Sequence, residues 1–364
     1  MQKSASALVL AALLAACSSG AVATPRPSPP AHAAIPPRPS PTVAVQLGPG
    51  GLTLDEEVGA VIMVGFKGPA TEAVLADWRQ RQFGGLLVVN LNQNASTPAE
   101  MSALLGQFRA ADRHRLLAAT DQEGGGICIA LSSVPCSPMP VGQAASAEMA
   151  AAIHAVGFDL DLGPVSDVCN GPSSVMWGRC YGTDPAAVSA AVGAAVDGIH
   201  EGHMLAAAKH FPGHGPTTVS SETQLPTILE TLPTIQAREW PPFEAAATHG
   251  ADFVLLGHLF YPALDSARSA DLSPVTVDKL RSVVGFKGAI LSDDMEMGAI
   301  TSSTPAPEAA VEYLLAGGDM VMIAHDLDVA DATYDAVRNA VLSGRLPRSR
   351  LDEAVASLQA LPMR

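Results

Sequence analysis

The chain predicts an α/β fold, a single (β/α)8 barrel with no second domain. Three observations carry this expectation. About eight short apolar runs alternate with helical stretches, the rhythm of strand–helix repeats. The runs carry apolar residues on both faces, as parallel strands covered on both sides must. Charged and polar residues cluster where those runs stop: Asp121, Asp167, Lys209, His210, His258 and Asp293. In a barrel, the C-terminal strand ends meet at one face, so these groups converge on one pocket. A doubly wound open sheet has the same alternation, and periodicity alone does not separate the two.

Residues 1–17 read as a targeting segment rather than fold, with Lys3 as the positive flank and Ala7–Ala16 as the apolar stretch. That stretch is too short to span a bilayer. Leu14-Ala15-Ala16-Cys17 resembles a bacterial lipobox, which implies lipid on Cys17 and an exported protein anchored to a membrane of the cell envelope. An ordinary secretory peptide with an incidental cysteine is the alternative. Residues 18–51 are expected to form a disordered tether, because Ser18–Thr42 is rich in Pro, Ala and Ser and has almost no large apolar side chain. The folded domain is expected over 52–364.

Thr53-Leu54-Asp55-Glu56 is a capping box that opens a short helix, and strand or helix end follows at Val61–Gly65. Gly85–Asn90 reads as a buried strand. Thr97, Pro98 and Glu100 cap a helix through about Arg113, and Leu116–Thr120 is the next strand. A helix over Ala144–Val156 precedes a strand over Phe158–Gly163. Asp184-Pro185 caps a helix that runs to Glu201 and stops at Gly202. The strand Met204–Lys209 follows, and Phe211-Pro212-Gly213 reads as too broken to extend it. Beyond it, strands are expected at Asp252–Gly257, Gly288–Leu291 and Asp319–Ile323. Helices are expected near Pro242–His249, from Ser273-Pro274 to Gly285, and over Glu308–Leu315, Val329–Leu342 and Ser349–Leu361.

Charge and cysteine content narrow the function. A formal net charge of −15 argues against a nucleic-acid partner, since phosphate binding needs clustered Lys and Arg. Besides Cys17, the chain has Cys128, Cys136, Cys169 and Cys180, which in an exported protein suggests two disulfides. Proximity favours Cys128–Cys136 and Cys169–Cys180 among the three possible pairings. Their spacing does not resemble a metal site, and Gly124-Gly125-Gly126 lacks the spacing of a nucleotide-binding loop.

The stretch Ala206–Pro226, AAAKHFPGHGPTTVSSETQLP, is the densest in chemistry: a buried strand delivers Lys209 and His210 into a Gly/Pro loop. Lys209-His210-Phe211-Pro212-Gly213-His214-Gly215 resembles the signature of the β-N-acetylglucosaminidases of glycoside hydrolase family 3. The similarity extends over about Leu54 to Leu361. It implies a single barrel, no metal, no organic cofactor, and a carbohydrate substrate that contains N-acetylglucosamine; a monomer is expected. Gly288-Ala289-Ile290-Leu291-Ser292-Asp293-Asp294-Met295 is similar to the family's nucleophile segment, which makes Asp293 the candidate nucleophile. Asp294 or Ser292 better suits a structural role. Asp121 heads a segment similar to the family's Asp-Gln-Glu-Gly-Gly-Arg, and Arg179 matches the Arg of a Gly-Asp-Arg-Ser-Phe-Gly segment. With Lys209 and His210 they form the expected sugar-binding set. His214 is assigned to loop structure.

The chain departs from the family at several points. The family's Asp-Ser-His loop, source of its acid/base, is Ser220-Ser221-Glu222, and two family arginines are replaced by Gly126 and Ile129. Glu222 is the candidate acid/base in its place, since a carboxylic acid of raised pKa is the commoner donor in glycosidases. Two other readings compete: a non-catalytic sugar-binding lipoprotein on the same scaffold, and a barrel aldolase or lyase that uses Lys209 as a Schiff-base amine. The second needs an apolar lysine pocket, whereas His210 and the following loop are polar.

Overall fold

The structure, a computed structural model, describes residues 47–129 and 142–364. The expected targeting segment, nearly all of the expected tether, and the Cys128–Cys136 pairing, which needs Cys136, lie outside the described residues.

Eight parallel strands close into a barrel in chain order, β8 pairing back onto β1. They are β1 (Ile62–Val64), β2 (Gly85–Leu87), β3 (Leu117–Thr120), β4 (Leu160–Asp161), β5 (Leu205–Phe211), β6 (Phe253–Leu256), β7 (Ala289–Asp294) and β8 (Met320–Ile323). The closed ring rules out the open-sheet alternative. Strand alternation divides the apolar residues between two layers. Met63, Leu87, Ala119, Leu205, Phe253 and Leu291 point inward and fill the barrel. Their neighbours Ile62, Leu86, Ala118, Ala206, Val254 and Ile290 point outward into the larger core shared with the helices. Leu361, beyond the last helix, joins the inner cluster.

Among the described residues, twelve α-helices surround the ring: α1 (Leu54–Ala60), α2 (Glu72–Arg81), α3 (Pro98–Ala111), α4 (Gln143–His154), α5 (Pro185–Glu201), α6 (Leu232–Arg238), α7 (Pro241–Thr248), α8 (Pro274–Ser282), α9 (Gly298–Thr301), α10 (Ala306–Ala316), α11 (Leu327–Leu342) and α12 (Arg348–Gln359). The start signals act as expected. The Thr53 and Thr97 hydroxyls accept from the Glu56 and Glu100 amides, and both glutamates reach back to the capping residue. Asp184 caps α5 over Pro185.

Two features differ from the sequence reading. The strand expected to stop at Lys209 continues to Phe211. A register shift lets Lys209 face Leu255 while Phe211 faces Leu256, so an extra residue is absorbed without ending the pairing. Phe211 is fully buried against Trp240 and Phe243, which holds the strand in place despite the proline that follows. Helices α2, α6 and the single-turn α9 were not anticipated. Only Leu75 and Trp78 of α2, and only Ile235 of α6, are buried, so neither has a clear apolar stripe.

Candidate active site

The site begins with β5. Strand parity that points Leu205 and Ala207 into the barrel points Lys209 to its mouth. There the Lys209 ammonium pairs with Asp121, at the end of β3, and lies 2.7 Å from Glu123. Glu123 is also held by Arg179 through two parallel bonds, Nε to Oε2 at 2.8 Å and a terminal nitrogen to Oε1 at 2.7 Å. Burial alone would push the Glu123 carboxyl up, but the Lys209 and Arg179 charges outweigh it and hold it ionised. Lys209 is raised in turn: burial opposes its charge, and Asp121 and Glu123 restore it. An ammonium held this firmly in its charged form is unsuited to act as a Schiff-base amine.

Beyond β4 the chain runs on beside β5, Val165 bridging to Lys209, and this brings Asp167 next to His210. Asp167 is fully buried. Its Oδ2 meets His210 Nδ1 at 2.8 Å, and its Oδ1 accepts the backbone amides of His210 at 3.3 Å and His214 at 2.6 Å. The carboxylate occupies the Nδ1 side of the ring, which leaves Nε2 free of Asp167. Gly215 packs on this loop; a Cβ there would stand 1.8 Å from the Val168 carbonyl. His214 Nε2 lies 3.1 Å from the Ser221 hydroxyl. Burial, helped by His210, depresses His214 to about 4, so the ring is neutral where it meets the loop.

At the end of β7 three consecutive residues take different directions. The Ser292 hydroxyl accepts the Met322 amide at 2.8 Å, and Asp294 Oδ1 accepts the amides of Ala324 at 3.0 Å and Glu296 at 3.1 Å. Both therefore tie β7 to β8 or to its own turn. Asp293 between them faces the mouth. Burial raises its carboxyl, yet His210, His258 and Lys209 together bring it below the ordinary value. His258 is fully buried beneath this strand end; Nε2 donates to the Asp294 carbonyl at 2.8 Å and Nδ1 meets Asp271 Oδ2 at 3.0 Å. Burial works against its charge, but Asp271 raises it to about 9.

Arg179 arrives on an irregular loop closed by the Cys169–Cys180 disulfide, with Cα atoms 6.1 Å apart. This is the pairing that proximity favoured. The cleft has two joined lobes. A narrow one of about 100 Å³ is lined by Asp121, Arg179, Lys209, His210, Glu222 and Asp293, the complete set expected from the sequence. A wider one of about 380 Å³ shares Asp121, Arg179, Glu222 and Asp293 and extends past Ile129 and Met322 to His325. Glu222 reaches both lobes from the loop after β5. Its side chain makes no hydrogen bond among the described residues, and partial desolvation and the Asp293 charge raise its pKa. Gly126 and Ile129 line the wider lobe, so its wall lacks the cations that the family resemblance would put there. The Ile129 amide donates to Gln122 Oε1 at 3.0 Å, which closes that loop.

Several site residues were not assigned a role by the sequence reading. Glu123, the hub of the ion network, was passed over beside Asp121. Asp167 and His258 were noted at strand ends without a function. His325 was missed: its Nδ1 meets Asn92 Oδ1 at 2.7 Å, and its Nε2 lies 3.8 Å from Asp294 Oδ2. The signal for all four is the same: a titratable residue just past an apolar strand.

The glycosyl hydrolase family 3 N-terminal domain model matches residues 53–361. A beta-hexosaminidase of Stenotrophomonas maltophilia (strain K279a) is 30% identical over 302 residues, 78% of this chain and 88% of the relative. A solved glycoside hydrolase family 3 beta-N-acetylglucosaminidase from Paenibacillus sp. str. FPU-7 superposes with a TM-score of 0.81 at 30% identity over 85% of this chain, which spans 62% of that longer one. A beta-N-acetylhexosaminidase from Beutenbergia cavernae DSM 12333 superposes with a TM-score of 0.76 at 25% identity, over 85% of this chain and 98% of its own. With the matched barrel and the strand-end residues of the cleft, these likenesses identify the chain as a member of glycosyl hydrolase family 3 and a glycoside hydrolase.

Proposed function

We propose that the protein is an exo-acting, retaining β-N-acetylhexosaminidase that removes terminal β-linked N-acetylglucosamine. The observation that carries this reading is the convergence of Asp293 and Glu222 on one narrow cleft already lined by Asp121, Arg179, Lys209 and His210. The relatives named beta-hexosaminidase support the sugar class. A charge-lined cleft whose narrow lobe runs on into a wider one suits a terminal sugar, whose hydroxyls meet carboxylate acceptors and cationic donors at once.

In the proposed reaction Asp293, held ionised by the surrounding cations, attacks the anomeric carbon as the glycosidic C–O bond breaks. The Glu222 proton passes to the leaving oxygen. Glu222, now a carboxylate, takes a proton from water, whose oxygen attacks the anomeric carbon and releases Asp293. The raised pKa of Glu222 suits the first half of this cycle. The lipobox-like Leu14–Cys17 supports an envelope-anchored enzyme, with peptidoglycan fragments as the proposed natural substrate.

A second reading has specific support: with Ser220 and Glu222 in the acid/base loop and Gly126 and Ile129 in the cleft wall, the scaffold would bind N-acetylglucosamine without cleaving it. Release of chromophore from an aryl β-N-acetylglucosaminide, beside an aryl β-glucoside, separates the two. Turnover of the first above the second supports the enzyme. Binding of N-acetylglucosamine without turnover of either supports the binder.

A further inference from the structure

We infer that Gly298 is a positioning residue: because it has no side chain, the Ser220–Thr223 turn seats directly on the backbone that follows Asp293, and this contact sets where Glu222 stands. The inference rests on the acid/base reading of Glu222.

The contact is main chain to main chain. The Gly298 amide donates to the Glu222 carbonyl at 2.9 Å, and the Ala299 amide donates to the Ser221 carbonyl at 3.0 Å. These are the first amides of α9, which has no side-chain cap, so the turn supplies the partners that a cap would otherwise give. The approach leaves no room. A Cβ on Gly298 would stand 2.5 Å from the Thr223 carbonyl oxygen, 2.7 Å from its carbon and 2.8 Å from the Glu222 oxygen. All three atoms are backbone, so none can rotate aside.

The turn is also firm within itself. The Ser220 hydroxyl accepts the Glu222 amide at 3.3 Å, the Ser220 carbonyl accepts the Thr223 amide at 3.2 Å, and the Ser221 hydroxyl meets His214 at 3.1 Å. A push at residue 298 therefore moves the turn as a unit and carries Glu222 with it. Met297, which precedes the contact, lines both lobes of the cleft. The two groups of the retaining pair, one from the end of β7 and one from the loop after β5, are thus registered by this backbone contact without a ligand.

Restoring an ordinary contact of about 3.5 Å around a new methyl requires a shift on the order of 1 Å. Misplacement of a reacting group by that much costs up to about 100-fold. The test compares wild type, Gly298→Ala, Glu222→Gln and the double variant on two substrates: a dinitrophenyl β-N-acetylglucosaminide, whose leaving group needs no proton, and the β-1,4-linked disaccharide of N-acetylglucosamine. Gly298→Ala should lower kcat/KM on the disaccharide by about 10- to 100-fold and on the aryl substrate by less than about 3-fold. In the Glu222→Gln background it should cost nothing further, since both changes act through one group. Equal losses on the two substrates, or the same loss with Gln at 222, would overturn the inference. If Glu222→Gln itself spares the disaccharide, the acid/base reading falls first, and the inference with it. A crystal structure of Gly298→Ala supplies a readout free of turnover: a turn that has not moved refutes the proposal. Should that variant fail to fold, Ala299→Pro removes one of the two tethering amides at a helix position that tolerates proline, and the same substrate contrast applies.

Discussion

Glu123 Oε1 lies 2.7 Å from the Lys209 ammonium and 2.7 Å from an Arg179 guanidinium nitrogen, so one carboxylate joins β5 to the disulfide-closed loop. Glu123 and Lys209 are almost wholly buried, and Arg179 is partly so. Removing one partner of such a cluster leaves charge without compensation in a dry site, at a cost of about 3–5 kcal/mol. Glu123→Gln should lower the melting temperature and also raise KM, because Lys209 and Arg179 lose the group that aims them. An unchanged KM in a destabilised variant would make the network a purely structural brace.

The proposed nucleophile makes a simpler prediction. Asp293 donates nothing to the β7–β8 contacts, which Ser292 and Asp294 make instead. Asp293→Ala should therefore abolish turnover while leaving the melting temperature within a few degrees of wild type. Retained activity would remove Asp293 from its role.

The Cys169–Cys180 disulfide closes a short loop that carries Arg179 next to Cys180. Loop-closure entropy assigns such a crosslink about 3 kcal/mol. Replacing both cysteines by serine should reduce stability by about that amount in urea titrations. It should also weaken binding of N-acetylglucosamine, because the loop presents one of the cleft's cations. Stability loss with unchanged affinity would show that the Glu123 contacts alone hold Arg179.

The buried His258–Asp271 pair predicts a pH dependence. The folded-state pKa of His258 is raised from 6.5 to about 9, so the folded protein binds this proton more tightly than the unfolded chain does. The resulting stabilisation, about 3 kcal/mol, is fully present below pH 6.5 and is lost as pH rises through 9. Thermal unfolding should show a falling midpoint between about pH 7 and 9.5. Asp271→Asn should lower the midpoint at pH 6 and flatten that slope. An equally steep slope in the variant would assign it to other groups.

How much of this was legible in the chain depends on the physics of each element. The barrel was, because buried parallel strands such as Phe253–Leu256 are apolar on both faces and stop at polar residues. The six charged and imidazole residues expected in the cleft were, because each lies at a strand end or in a family-like motif. Helix α2 was not, because two buried side chains in ten residues leave no periodic stripe. The β5 extension was hidden because a proline suggests a stop, whereas the burial of Phe211 overrides it. Glu123 was legible as a candidate from its place just past β3, but its role was not: that depends on Lys209 and Arg179, both more than fifty residues away in the chain. Contacts of that range are not written in the local sequence.

Glu222 makes the prediction that decides between enzyme and binder. An acid helps most when the leaving oxygen is a poor one, since activated aryl groups depart unprotonated. Glu222→Gln should therefore cripple hydrolysis of disaccharides and spare the glycosylation step of dinitrophenyl substrates. Deglycosylation needs a base, so it should become slow in the variant, and the glycosyl-enzyme should accumulate as a burst of released chromophore. Azide, an anion that needs no deprotonation, should restore turnover and yield the β-glycosyl azide, since two inversions at the anomeric carbon retain its configuration. On this proposal the basic limb of kcat/KM against pH follows loss of the Glu222 proton, whose pKa desolvation and the Asp293 charge raise, so that limb should vanish in the variant as well. Uniform small effects on both substrates, with no azide rescue, would remove Glu222 from the mechanism and leave the cleft without its acid.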